Sequence, residues 1–68
     1  MVEVFKTDIG CEKKAREVCQ RITSELHYQT VSIDLDDCDK ILRIESEIIQ
    51  VSLVAKVLLR HNVQHELL

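Results

Sequence analysis

Thr7-Asp8-Ile9-Gly10-Cys11-Glu12-Lys13-Lys14-Ala15 joins a short apolar strand to an amphipathic helix. Before it, Val2 to Thr7 reads as a strand, with Val2 and Val4 alternating with Glu3. Asp8 to Gly10 is a turn, where Gly10 lets the backbone swing tightly into the helix. After it, Ala15, Val18, Cys19, Ile22 and Leu26 recur at helical spacing and form one stripe on a helix from Cys11 to about Leu26. Lys13, Lys14, Arg16, Glu17, Gln20 and Arg21 fill its wet side, and Glu17 with Arg21 is spaced for an i, i+4 pair.

Further along, His27 to Thr30 is a connector. Thr30 to Leu35 alternates, with Val31, Ile33 and Leu35 on one face and Ser32 and Asp34 on the other, the pattern of a half-buried strand. Asp36-Asp37-Cys38-Asp39 is a turn, because Asp side chains bond their own backbone two residues on. Lys40 to Glu45 returns as a strand with Leu42 and Ile44 inward. Ser46 is an expected N-cap, followed by Glu47 where the helix dipole favours an acid. The second helix is expected to reach His61, with Asn62 as a left-handed cap and Val63 to Leu68 as the last strand. The order βαββαβ predicts an α+β, ferredoxin-like domain spanning residues 1–68: two helices on one face of a four-stranded antiparallel sheet.

At 68 residues this is one domain near the lower size limit for independent folding. With one Phe, one Tyr and no Trp, its core must be aliphatic, so a metal, a staple or a partner would help it. The net charge of −3, without a basic run or aromatic platforms, argues against nucleic acid. Three irregularly spaced cysteines suit a reducing compartment rather than a disulfide framework. Met1-Val2-Glu3-Val4 lacks a basic region followed by an apolar run, and no stretch is long enough for a membrane span. A cytoplasmic location is the expectation. No glycine-rich phosphate cradle, zinc spacing or nucleophile–base order is visible, and an enzyme is not expected.

Chain direction alternates from element to element, so the first strand–helix loop, the central hairpin and the last helix–strand loop should share one end. That end gathers Asp8, Cys11, Asp36, Asp37, Cys38, Asp39 and His61. In element order over nearly its whole length, the chain resembles the heavy-metal-associated domains of copper chaperones and metal-transporting ATPases. In that family a Met-x-Cys-x-x-Cys loop between the first strand and helix holds Cu(I) or a similar soft ion with two thiolates. Counting back from the helix stripe, Cys11 falls at the second cysteine, Asp8 at the first and Lys6 at the Met, and the strand alternation suggests an offset of one residue. Asn62 stands where the family often has Gly before the last strand. The resemblance implies a metal site, but one thiol replaces two, and soft ions prefer paired sulfur.

Two function classes follow. The first is a non-enzymatic domain acting by protein contact or self-association. Val51, Val54, Ala55 and Leu58 should meet the sheet, which leaves Ile49, Leu53 and Val57 as an outward stripe beside Lys56 and Arg60. A homodimer would use such a stripe twice. The second is copper or zinc binding or transfer by Cys11 with Asp8 and Cys38, or by Cys11 shared across a dimer. A redox-sensing thiol at Cys11, near a helix N-terminus and Lys14, is a third possibility. Cys19 belongs to the core, His61 caps its helix, and His27 and His65 carry no role.

Overall fold

Phe5 and Thr7 face inward from the first strand. The computed structural model describes residues 1–68. The elements are β1 (Val2–Thr7), α1 (Glu12–Leu26), β2 (Thr30–Asp34), β3 (Ile41–Glu45), α2 (Val51–Arg60) and β4 (His65–Leu67). The sheet has four strands in the order β2-β3-β1-β4, each pair antiparallel. With two helices, this is the ferredoxin-like α+β arrangement.

Register explains which side chains are inside. Phe5 pairs with Leu42 and, on its other side, with Leu67; Glu3 pairs with Ile44. Val2 and Val4 pair with Glu45 and Arg43 and lie on the opposite face, away from the helices. The inward set of β1 is therefore offset by one residue from its run of valines. Phe5, Ile9, Ala15, Val18, Ile22, Leu42, Ile44, Val54, Leu58 and Val63 form the aliphatic core, completed by Tyr28, Ile49 and Val57.

The helix α1 starts where expected. Cys11 is its N-cap, in extended conformation, and its Sγ accepts a hydrogen bond from the Lys14 N–H at 3.4 Å. Ala15, Val18 and Ile22 are buried, with Cys19 and Leu26 packed against the core. Glu17 and Arg21 form no ion pair; the i, i+4 pair is Glu12–Arg16 at 3.3 Å. His27 ends α1 in the left-handed region at φ 57°, its N–H bonded to the Thr23 carbonyl at 2.9 Å.

The helix α2 starts later than expected. Ser46 is not its N-cap: its N–H donates to the Met1 carbonyl at 3.1 Å, which extends the β1–β3 ladder by a residue. The chain then stays non-helical through Gln50, which lets Ile49 drop into the core at 7 % exposure. Gln50 is the N-cap but contributes no side-chain bond. Its own N–H is held by the Tyr28 hydroxyl at 2.9 Å. At the other end Asn62 takes φ 58°, with Asn62 N–H bonded to Leu59 and Val63 N–H to Leu58. Those two bonds are the Schellman pair that a left-handed residue after a helix permits.

The outward stripe expected on α2 is corrected in two of its three positions. Val57 is 2 % exposed and Ile49 is 7 % exposed, so both belong to the core. For Val57 the cause is that α2 packs against α1 and buries a flank there as well as its base, whereas Ile49 precedes α2 and enters the core from the non-helical segment. Leu53 is half-buried on that flank. In α2 and the segment leading into it, the large apolar side chains left outside are Ile48 and Leu59, at 70 % and 65 %.

Candidate functional site

The three loops expected at one end do meet there. Thr7 N–H bonds to the Asp39 carbonyl at 3.1 Å, and Thr7 Oγ1 donates to the Lys40 carbonyl at 2.6 Å, tying the first loop to the hairpin. Asp8 N–H bonds to the Gln64 carbonyl at 3.2 Å, while Gln64 N–H returns to Asp8 Oδ1 at 3.0 Å. The hairpin closes with Asp36 N–H on Asp34 Oδ1 and Asp39 N–H on Asp37 Oδ1, the local bonds expected of Asp in turns. Lys40, at φ 47°, reaches back to the Leu35 carbonyl through Nζ at 2.7 Å.

This end does not assemble the metal set read from the sequence. The one group of three potential ligand atoms within 4.8 Å is Asp37, Cys38 and Asp39. Asp8 and Cys11 lie outside it, and both are engaged elsewhere, Asp8 in holding Gln64 and Cys11 in capping α1. Asp37 braces the turn, and Asp39 faces Lys6 Nζ at 3.5 Å. Two occupied carboxylates and one thiol do not fit the paired-thiolate set that copper favours. All three cysteines are free thiols, Cys11 and Cys38 exposed. Burial pushes the Cys19 thiol above its ordinary pKa, which lowers its reactivity at neutral pH.

A second surface stands out on the helix side. A groove of about 500 Å³ runs between the end of α1 and α2. Leu26, Leu53, Val57 and Leu59 supply its apolar lining; Glu25, Lys56 and Arg60 are its charged members. Glu25 and Arg60 form a hydrogen-bonded ion pair across the two helices. That bond holds the Glu25 carboxyl below the usual carboxylate range. Lys56 is in no ion pair and is the groove's free cation.

Of the residues expected at a contact surface, Leu53 lines this groove openly and Val57 forms its floor, while Ile49 is elsewhere in the core. Sequence reasoning missed Leu59 and Leu26. A signal for Leu59 was present: Val57-Leu58-Leu59 spans about 200° of helix, more than one buried face accepts.

No family model matches the chain, and no curated protein matches it. No helix is long and apolar enough to cross a membrane.

Proposed function

We propose that this chain is a non-enzymatic, cytoplasmic protein-contact domain. Its scaffold resembles the heavy-metal-associated domains, but their paired-thiolate site is lost. The groove between α1 and α2 is its docking surface, taking an apolar side chain from an acidic segment of a partner protein. The observation that carries this reading is the groove's composition. Leu59 stays 65 % exposed beside half-buried Leu53, where α1 has only charged and polar residues outward. Apolar side chains clustered in a concave site gain from being covered. Lys56 is free to meet an acid, since Arg60 is already engaged by Glu25.

A photo-crosslinking residue placed at Ser52, exposed one turn before Lys56 on α2, tests this in cells and leaves Lys56 in place, with the same residue at Lys13, away from the groove, as control. A discrete adduct from position 52 alone, lost when Leu59→Glu is added, is expected. No adduct, or one that Leu59→Glu leaves intact, contradicts the groove as a docking surface.

The competing reading is soft-metal binding by Cys11 with Asp8 and Cys38, or by Cys11 shared between two chains. Only the Asp37-Cys38-Asp39 grouping speaks for a metal, and it supplies one thiol.

A further inference from the structure

Two strands, β2 and β4, form the edges of the sheet, each with a row of backbone groups lacking a strand partner. They differ in what a second copy of the chain would meet. Two copies related by a two-fold axis perpendicular to the sheet pair antiparallel about one residue, which faces its own equivalent. Centred on the middle of β4, Glu66 faces Glu66 of the second copy, and like charges directly opposite are unfavourable. Centred on the middle of β2, Ser32 faces Ser32, Val31 faces Ile33, and Thr30 faces Asp34. Apolar meets apolar on the helix side. On the other side, hydroxyl meets hydroxyl, and the Thr30 hydroxyl can donate to the carboxylate.

That register pairs all five residues of β2 within the strand. Nothing along Thr30–Asp34 blocks it: there is no Pro, Lys or Arg, and the pairing with β3 runs through five consecutive residues without a bulge. Burial on this edge is also unfinished. Leu42 and Ile44 of β3 are fully buried, but their neighbours Ile33 and Val31 on β2 are only half-buried. Beside them a hollow of about 390 Å³ between α1 and β2 is lined by the apolar Ala15, Cys19, Ile33 and Leu35, with Glu12, Arg16, Asp34 and Asp36 as its charged members. A further strand on β2 would cover these side chains.

We propose that this chain self-associates through β2, two copies pairing antiparallel about Ser32 to join their sheets into one of eight strands. This contact is separate from the helix-side groove, so either reading can fail alone.

Sedimentation across a concentration series tests it, with circular dichroism confirming the fold of each variant. Ser32→Glu lies opposite Arg43 within its own sheet, which favours the fold, but sets carboxylate against carboxylate between copies. It should weaken association about fivefold. Thr30→Lys lies opposite Glu45 within its own sheet and meets Asp34 of the second copy, so it should tighten association by a similar factor. Leu59→Glu, in the groove, should change nothing. In a sample mixing labelled and unlabelled chains, a nuclear Overhauser contact between Val31 of one copy and Ile33 of the other should appear. A wild type that is monomeric at millimolar concentration overturns the proposal. So does a dimer that Ser32→Glu leaves intact or strengthens, or one that Leu59→Glu dissolves.

Discussion

The helices α1 and α2 share one side of the sheet but are built differently. The first carries its own start signal in Cys11, an ion pair between Glu12 and Arg16, and a polar outer face. The second has no side-chain cap, no acid in its first turn, and an apolar residue, Leu59, left in solvent. Helix stability in proteins comes mostly from burial of an apolar face, and α2 depends on it more completely. The difference is a division of labour: α1 is locally finished, whereas α2 is held by its neighbours and leaves Leu59 exposed, the surface proposed above for docking.

Removing burial from α2 should have the largest effect. Leu58→Ala deletes a fully buried side chain and should cost about 2–5 kcal/mol in urea unfolding. A cost below about 1 kcal/mol, the level of a surface change, would mean that α2 does not rest on its packing. Next comes the substitute cap. Tyr28→Phe deprives the Gln50 N–H of its hydroxyl acceptor and should cost about 1 kcal/mol. Unchanged stability would break the claim that α2 borrows its start from the connector between α1 and β2.

For α1 the expected change is smaller and of opposite sign. Cys11→Ser replaces a weak sulfur acceptor with a preferred N-cap and should raise stability by about 0.5 kcal/mol. A loss would show that Cys11 does something other than cap. The ion pair between the helices should give a small pH dependence. The Glu25 pKa is lowered in the folded state, so its contribution is present above the unfolded value and fades as pH falls through the folded one. Glu25→Gln should flatten that acid-side slope; an unchanged slope would assign it to other carboxylates. Alkylation at neutral pH should reach Cys11 and Cys38 before half-buried Cys19, whose thiol is held protonated by burial. Equal rates would mean that the α1 flank over β2 opens readily.

The legibility of this chain follows the same contrast. Element order, the α1 stripe, the Asp-braced hairpin and the Asn62 cap were readable because each rests on local pattern or turn chemistry. The start of α2 was not. Ser46 and Glu47 make a good local helix signal, but the β1–β3 ladder claims Ser46 through Met1. The orientation of α2 was half readable: Val54 and Leu58 were assigned inward correctly, while Val57 turned out to be buried. Ser52, Lys56 and Arg60 mark only a narrow polar stripe on α2, and packing beside α1 decides which flank of the wide apolar arc is buried. At the loop end, topology foretold that the first loop, the hairpin and the last loop would converge, as the Thr7–Asp39 and Asp8–Gln64 bonds show. It did not say that Asp8 would be occupied by the Gln64 backbone.

The central claim is that the chain works by contact with protein and not by holding a soft metal. Titration of the fully reduced protein with Cu(I) and Zn(II) against a competing chelator, read by native mass spectrometry, tests this most directly. The account predicts a metal-free dimer that grows with protein concentration and no ion retained against the chelator. One ion held per chain or per dimer, and lost in Cys11→Ser, would contradict it.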